Sequence, residues 1–133
     1  MCIVLFMKVK SVNSLDTNSL IKINIDSVVI DVRSSKEWEE RGIPQIEPPL
    51  ILLTWRLLPN MIINQDFEKT LINQIPDKTK NLFFLCKSGV RSLEAANFVA
   101  KLGYINCHNI SDGFEGSSSG LGWKNNNLPW QTL

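Results

Sequence analysis

The segment N-L-F-F-L-C-K-S-G-V-R-S, residues 81–92, carries the clearest structural signal in the chain. Its first five residues form a short, mostly apolar run of the kind found in strands that are covered on both faces. A polar loop follows, and residues 92–102 then repeat apolar side chains at helical spacing, with Gly103 in the position of a C-terminal cap. The apolar helix face is predicted to contain Leu93, Ala96, Val99 and Ala100. A strand that leads directly into a helix predicts one unit of a parallel α/β sheet.

A second apolar run, residues 27–32, lies upstream and predicts another buried strand. Ser34 follows as a helix N-cap with Glu37 at the capping-box spacing, so we expect a short helix that ends at Gly42. Its charged residues Glu37, Glu39, Glu40 and Arg41 are interpreted as a solvated face. Further patterns predict a strand at 50–53, a helix at 67–75 and a strand at 104–110. This alternation favours an α/β fold with a central, mainly parallel sheet flanked by helices.

The tail, residues 111–133, is rich in glycine, serine and asparagine but also carries large aromatic side chains. Aromatic residues in such a polar segment predict anchors that hold the tail against the body of the domain. The three predicted anchors are Phe114, Trp123 and Trp130.

The composition limits the classes of function. The chain has 133 residues, of which 44% are hydrophobic and 20% charged, as is typical of one globular domain. Its 14 basic and 13 acidic residues give a net charge of +1, so nothing favours a nucleic-acid partner. Three cysteines without a C-x-x-C pair argue against a disulfide framework and favour a reducing compartment. His108 is the only histidine, and no metal site is expected.

Residues 1–10 are predicted to form an N-terminal extension or an extra strand, and residues 11–133 the folded domain. The apolar start, residues 1–7, is too short to span a membrane and has no basic region before it. We therefore expect neither a membrane anchor nor a signal peptide, and the chain is predicted to be cytoplasmic. Cys2, in the same stretch, is interpreted as incidental.

Cys86 stands where a reactive nucleophile is expected, because ligands bind beyond the carboxyl ends of strands in open parallel sheets. The start of the following helix presents unpaired N–H groups. Gly89 lets the loop curl so that its amides point inward, while Lys87 and Arg91 add positive charge. These surroundings favour the thiolate, which is the nucleophilic form of cysteine. The alternative is a buried structural cysteine, but a structural turn requires neither the two cations nor the glycine.

Three motifs resemble the rhodanese family of sulfurtransferases. The segment C-K-S-G-V-R-S at 86–92 is similar to that family's active-site loop, C-x-x-G-x-R-S/T. The segment D-V-R-S-S-K-E-W at 31–38 resembles its upstream motif, and D-G-F-E-G at 112–116, followed by G-W and L-P-W, resembles its C-terminal segment. The resemblance covers residues 11–133 and implies a rhodanese-like α/β fold.

The resemblance also implies roles for individual residues. Cys86 would attack a sulfane sulfur donor and become a persulfide. The substrate-binding residues would be those whose amides surround the outer sulfur, namely Lys87, Ser88, Gly89, Val90 and Arg91. Lys87 and Ser88 would face the incoming reactant, and Arg91 would hold the loop in shape. The supporting residues would be Asp31, Arg33 and Ser92, with the first two beside the loop and the entrance to the site.

The implied reaction is a double displacement. A donor such as thiosulfate or another persulfide loads Cys86, and an acceptor such as cyanide, a small thiol or a protein thiol unloads it. No metal or organic cofactor is implied, no membrane partner is expected, and both a monomer and a homodimer stay open.

Two other classes of function are weighed against sulfur transfer. Related phosphatases and arsenate reductases use C-x5-R, whereas only four residues separate Cys86 from Arg91, and the shorter loop suits a single sulfur atom. Some rhodanese-like domains are non-catalytic interaction modules that lack the cysteine, which this chain keeps. A protein-to-protein sulfur relay also stays open.

The sequence departs from the family pattern in two places. Residues 41–46 read R-G-I-P-Q-I where the family usually has G-H-I-P-G-A, so the family's histidine and its second glycine are missing at the expected entrance to the site. Residues 55–61 lie outside the general pattern and are interpreted as a subgroup feature or a partner surface. Cys107 is weighed as a resolving thiol for Cys86, with a buried residue of the last strand as the favoured interpretation.

Overall fold

The computed structural model describes residues 8–133, so the predictions made for residues 1–7, including Cys2, lie outside the described part. Within that part the chain alternates between strands and helices. The elements are β1 (Lys10–Val12), α1 (Ser14–Ile23), β2 (Ser27–Asp31), α2 (Ser35–Arg41), β3 (Ile43–Pro44), β4 (Leu50–Leu52), β5 (Arg56–Leu57), β6 (Ile62–Ile63), α3 (Phe67–Gln74), β7 (Asn81–Leu85), α4 (Val90–Lys101), β8 (Asn106–Ile110) and β9 (Trp130–Gln131).

The central sheet has five parallel strands in the order β1-β8-β7-β2-β4. In its register Asp31 lies opposite Leu85, and Phe84 lies opposite Asn109. The strands β2, β7 and β8 therefore end together at one edge of the sheet, which is the edge where parallel α/β folds place their ligands. The predicted α/β fold with a central parallel sheet flanked by helices is confirmed.

Both faces of the sheet are covered, as the continuous apolar strands predict. On one face, Phe84 and Leu82 pack with Leu71 of α3 and with Ala96 and Val99 of α4. The other face packs against α1 and the tail, and its core contains Ile21, Val29, Phe83, Leu85, Ile110, Phe114 and Trp123. Each fully buried side chain of this size contributes about 1.5–3 kcal/mol of hydrophobic stabilisation.

Helix α4 differs from its predicted apolar face in one residue. Leu93 was assigned to the core, but it is 44% exposed. The buried face is instead built mostly from small residues: Ser92, Ala95, Ala96, Val99 and Ala100. These short side chains let the helix approach the sheet closely, so that Ser92 is brought under the loop that precedes the helix.

The first sheet strand, β1, and the first helix, α1, were not predicted. Asn13 caps α1 by accepting a hydrogen bond from the Asp16 amide. The buried Asp112 accepts hydrogen bonds from the amide and the hydroxyl of Ser14 and from the Gly122 amide, so it ties α1 to the tail. No helix among residues 8–133 is both long and apolar enough to cross a membrane.

The tail packs back onto the sheet, as the aromatic residues predicted. Phe114 and Trp123 are fully buried, and the Trp123 indole N–H donates to the Pro129 carbonyl. Trp130 is partly exposed and meets the Phe114 ring edge-on at 6.5 Å between centroids. In addition, β9 pairs antiparallel with β3, so the altered segment after Gly42 lies directly against the tail.

Candidate active site

Cys86 lies immediately after β7 and one short loop before α4. Gly89 occupies the N-cap position of α4 with φ +96°, a left-handed conformation that favours glycine. A Cβ atom at Gly89 would lie 2.3 Å from the Ser111 carbonyl oxygen, so no larger residue fits at this position. The glycine thus lets the loop turn sharply enough to bring the first amides of α4 back onto the cysteine.

The Cys86 sulfur is surrounded by hydrogen-bond donors. Its Sγ accepts from the Gly89 amide at 3.1 Å and from the Ser92 amide at 3.3 Å. The Ser92 Oγ lies 3.2 Å from the same sulfur. Because these amides belong to the positive end of α4, they stabilise a negative charge on the sulfur. The sulfur that these groups surround belongs to a residue that is only 1% exposed.

The predicted substrate-binding residues line the outer side of the same loop. Lys87 is exposed, Ser88 is partly exposed, and Val90 is 74% exposed, whereas Gly89 is buried beneath them. Val90 and Arg91 begin α4, so their N–H groups have no helical carbonyl one turn earlier. The loop therefore places polar backbone and one exposed cation next to the sulfur.

Arg91 is held by Glu37 of α2 in a two-pronged ion pair. Its Nη1 donates to Glu37 Oε1 at 2.8 Å, and its Nη2 donates to Oε2 at 2.9 Å. Glu37 Oε1 also accepts from the amide and hydroxyl of Ser34, which completes the predicted capping box. The α2 N-terminus and the loop after Cys86 are thereby joined by one carboxylate.

The sequence interpretation of Glu37 as part of a solvated helix face is therefore wrong. Burial raises the pKa of this carboxyl group, but hydrogen bonds from Arg91 and its positive charge outweigh burial and lower the pKa to about 2. The same contact raises the pKa of Arg91 above its usual value. The periodicity of α2 could not reveal this, because the partner lies 54 residues away in the chain.

Asp31 and Arg33, at the end of β2, form a fully buried ion pair with Nη2 and Oδ2 2.8 Å apart. Arg33 Nη2 also donates to the Gly42 carbonyl, and the guanidinium carbon lies 4.3 Å from the centre of the Phe114 ring. Arg33 Nη1 has no hydrogen-bond partner among residues 8–133. Since neither side chain has any exposed surface, the pair is not in contact with solvent.

The start of the tail forms backbone hydrogen bonds with the loop that follows β7. The Phe114 amide donates to the Cys86 carbonyl at 2.8 Å, and the Glu115 amide donates to the Lys87 carbonyl at 2.9 Å. Gly113 has φ +65°, and a Cβ atom there would lie 2.3 Å from the Lys87 carbonyl oxygen. The motif D-G-F-E-G thus forms backbone contacts with the loop, and the close approach to Lys87 requires a glycine at position 113.

Asn109 of β8 is a polar residue at the site that the sequence did not single out. Its Nδ2 donates to the Gly89 carbonyl at 3.1 Å, and its Oδ1 accepts from the Ser92 hydroxyl at 2.6 Å. Both Asn109 and Ser92 are buried. The only signal in the sequence was an amide in an otherwise buried strand, which does not specify a partner.

Cys107 does not share these surroundings. It lies opposite Leu82 in the register of β7 and β8, four residues before Cys86, which corresponds to about 13 Å along the strand. Burial raises the pKa of its thiol to about 12. Its Sγ has a long contact of 3.6 Å to the Tyr104 carbonyl. The geometry therefore supports the structural interpretation of Cys107 and not a resolving role.

Two other features lie apart from the sulfur. Within the altered segment, residues 41–46, Gly42 has φ +88° and the Gln45 amide donates to the Pro129 carbonyl, so this segment is held by the tail. A surface cavity of about 600 Å³ lies between α1 and residues 45–49, and no residue of the Cys86 loop lines it. Among residues 8–133, no group of three histidine, cysteine, aspartate or glutamate side chains is arranged to hold a metal ion.

Comparison with known proteins places this site in a family. An uncharacterised protein of Rickettsia conorii, RC0915, is 43% identical over 128 residues, which cover 94% of this chain and 99% of that protein. The solved structure of Rv0390 from M. tuberculosis matches with a TM-score of 0.79 and 29% identity, covering 93% and 98% of the two chains. A polysulfide-sulfur transferase homodimer from Wolinella succinogenes shares the fold, with a TM-score of 0.72 and 20% identity over 92% and 78% of the chains.

The family model for the rhodanese-like domain matches residues 15–119. That range contains β2, Gly113 and the whole loop from Cys86 to Ser92, including Gly89. It also contains Asn109 and the start of the tail that supports the loop. The chain therefore belongs to the rhodanese-like domain family.

Proposed function

We propose that this protein is a sulfurtransferase that carries sulfur as a persulfide on Cys86. The proposal rests on one observation: the N–H groups of Gly89 and Ser92, at the positive end of α4, both donate to the Cys86 sulfur. A purely structural cysteine gains nothing from this arrangement, whereas a nucleophilic thiolate is stabilised by it.

The first half of the reaction loads the cysteine. The Cys86 thiolate attacks the outer, sulfane sulfur of thiosulfate, the sulfur–sulfur bond of thiosulfate breaks, and sulfite leaves with the bonding electron pair. Lys87, exposed beside the sulfur, attracts the anionic donor. The product is a Cys86 persulfide whose negative charge lies on the outer sulfur.

The second half of the reaction removes the outer sulfur from the Cys86 persulfide. A cyanide ion or an acceptor thiolate attacks the outer sulfur, and the Cys86 thiolate leaves with the electron pair of the broken bond. The free N–H groups at the start of α4, those of Val90 and Arg91, are suited to hold the outer sulfur between the two steps. The amides of Gly89 and Ser92 meanwhile stabilise the departing Cys86 thiolate.

Two features favour sulfur over phosphate as the transferred group. Only four residues separate Cys86 from Arg91, so the loop is short for a tetrahedral oxyanion. In addition, both terminal nitrogens of Arg91 donate to Glu37 and are not directed at a bound phosphate. A non-catalytic interaction module is the other alternative, and the donor-lined sulfur argues against it.

The physiological reactants are proposed by chemical class. Thiosulfate, a polysulfide or a protein persulfide serves as donor, and cyanide, a small thiol or a protein thiol serves as acceptor. The polysulfide donor is included because the Wolinella transferase has the same fold. We place the reaction in the cytoplasm, where reduced thiol acceptors are abundant, and no metal or organic cofactor takes part.

The test is intact-mass measurement after incubation with thiosulfate. The wild-type protein should gain one sulfur atom, and cyanide or dithiothreitol should remove it. Cys86→Ser should gain none, whereas Cys107→Ser, the matched control at the other buried cysteine, should gain the same sulfur as the wild type. If no sulfur is gained from thiosulfate, polysulfide or a protein persulfide, the proposal is wrong.

A further inference from the structure

The hydroxyl group of Ser92 lies between two acceptors beneath the catalytic loop. Its Oγ is 2.6 Å from Oδ1 of Asn109 and 3.2 Å from Sγ of Cys86. A serine hydroxyl has only one proton to donate. The amide oxygen and a Cys86 thiolate therefore compete for the same proton.

The orientation of the Asn109 amide is fixed from its other side. Its Nδ2 donates to the Gly89 carbonyl at 3.1 Å. A carbonyl oxygen can only accept, so a flipped amide would place two oxygens against each other. Asn109 consequently presents its oxygen to Ser92, and solvent has little access because both residues are buried.

The three states of the cysteine use this hydroxyl differently. A neutral Cys86 thiol can donate to Ser92 Oγ while Ser92 donates to Asn109, so every group is satisfied. A thiolate needs the Ser92 proton for itself, which leaves the buried Asn109 oxygen without a donor, a costly condition. In the persulfide the charge lies on the outer sulfur, so the hydroxyl can return to Asn109.

We propose that Asn109 is a positioning residue that competes with the Cys86 sulfur for the Ser92 proton, disfavouring the free thiolate and favouring the loaded persulfide. The statement about the persulfide rests on the proposed sulfur transfer, whereas the statement about the thiolate does not. The competition therefore affects both halves of the reaction: the attack of the free thiolate on the donor and the loss of the outer sulfur from the persulfide.

The experiment measures the rate of Cys86 alkylation by iodoacetamide as a function of pH, with mass spectrometry of the Cys86 peptide. Asn109→Ala frees the Ser92 hydroxyl for the sulfur, so the midpoint of the pH profile should fall by about one pH unit, as expected for one hydrogen bond to a charged group. Asn109→Asp keeps an acceptor and adds a negative charge, so the midpoint should rise. Neither variant changes the charged side chains of the neighbouring elements, which would otherwise shift the midpoint. They are Asp31 and Arg33 at the end of β2, Glu37 of α2, Lys87 and Arg91 after β7, and Asp112 and Glu115 of the tail.

The control makes the Asn109→Ala substitution in a protein that lacks the Ser92 hydroxyl group. In a Ser92→Ala background, Asn109→Ala should no longer lower the midpoint, because no proton is left to redirect. A purely structural role for Asn109 would not move the two variants in opposite directions. If Asn109→Ala does not fold, as judged by circular dichroism, Asn109→Leu carries the test, because leucine has nearly the shape of asparagine, has no acceptor for the Ser92 proton and should also lower the midpoint.

A second measurement separates this proposal from the proposed function. The persulfide of Asn109→Ala should lose its sulfur to cyanide about tenfold faster than that of the wild type, in proportion to the stabilised leaving thiolate. Equal midpoints, or shifts in the same direction for both variants, would overturn the role of Asn109 while leaving sulfur transfer intact. Opposite shifts in a protein that takes sulfur from no donor would support that role and overturn sulfur transfer.

Discussion

Cys86 and Cys107 are only 1% and 2% exposed and belong to the same hydrophobic core cluster, yet the hydrogen-bond partners of their sulfur atoms differ. Two backbone N–H groups donate to the Cys86 sulfur. Within the described part of the chain, the Cys107 sulfur has only a long contact of 3.6 Å with the Tyr104 carbonyl, and burial raises the pKa of its thiol to about 12. Burial alone therefore does not determine how the sulfur of a cysteine is hydrogen-bonded.

The decisive difference is the backbone geometry around each sulfur. Cys107 lies within a strand, where the neighbouring N–H groups are used by the sheet. Cys86 lies just beyond a strand, where a left-handed glycine turns the chain and the free amides of a helix start face the sulfur. A cysteine that is as inaccessible as Cys107 can thus still have several hydrogen-bond donors directed at its sulfur.

The largest effect is expected from Gly113→Ala, which would disturb the surroundings of Cys86 alone. The new Cβ atom would lie 2.3 Å from the Lys87 carbonyl, so the loop must shift. A displacement of about 1 Å at a reacting group costs about 100-fold in rate, and we expect sulfur loading to fall by about that factor. Thiosulfate-dependent thiocyanate formation measures it.

Gly103→Ala is the matched control for this substitution. Gly103 also has a positive φ, +102°, but a Cβ atom there meets only the Lys78 side chain, at 3.5 Å and beyond. Both variants share the cost of a left-handed alanine, about 1 kcal/mol in stability. Only Gly113→Ala should lose activity, and equal activity in two folded variants would contradict the supporting role of the tail.

A smaller effect is expected from Glu37→Gln, which weakens the clamp on Arg91. We expect about a tenfold fall in sulfur loading, because the loop keeps its glycines and its tail contacts. Glu94→Gln is the control, since it weakens the more exposed ion pair with Arg56 and should leave loading unchanged. Equal rates for wild type and Glu37→Gln would show that the clamp does not act on the loop.

The same variant should change the acid stability of the protein. The Glu37 pKa is about 2 in the folded protein against an ordinary value of 4.5, so its contribution to stability is fully present above pH 4.5 and is lost as the pH falls towards 2. Chemical unfolding should therefore show a flatter dependence of stability on pH in Glu37→Gln over this range. An identical slope in both proteins would contradict the lowered pKa.

The elements that depend on patterns within a few neighbouring residues could be predicted from the sequence. The buried strands β2 and β7 are continuous apolar runs, and the capping box at Ser34 lies within four residues of chain. Gly89 and Cys86 were identified because a strand, a turn and a helix start follow one another directly. The parallel sheet followed from the alternation of these elements.

The missed features all depend on contacts between distant residues. The first helix, α1, has a weakly apolar face and is held by Asp112, 98 residues from Ser14. Glu37 pairs with Arg91, and Asn109 reaches Ser92 and Gly89, only because the sheet order places β8 beside β7 and α2 beside the loop. Leu93 was misplaced because the helix turns its smaller residues to the sheet, which apolar periodicity alone does not reveal.

Cys107→Ala tests the comparison of the two cysteines at the one interpreted as structural. Removing one buried sulfur atom from the core should lower the free energy of unfolding by about 1 kcal/mol, through lost packing and a small cavity. Because Cys107 lies about 13 Å from Cys86 along the strands, sulfur loading should be unchanged. Urea unfolding and the intact-mass assay measure the two effects, and a loss of loading in a stable variant would revive the resolving-thiol alternative.

The smallest effect is expected at His108, the residue after Cys107. Its ring stacks on Phe83 at 4.4 Å, and burial lowers its pKa below the ordinary 6.5 despite a hydrogen bond to the Leu82 carbonyl. The unfolded chain therefore binds a proton at a pH where the folded protein does not, so stability is full above pH 6.5 and declines as the pH falls below it. Because His108 is the only histidine, His108→Gln should remove this decline between about pH 7.5 and about pH 5.5, and urea unfolding at several pH values measures it. A decline that persists in His108→Gln would mean that another group titrates in this part of the core.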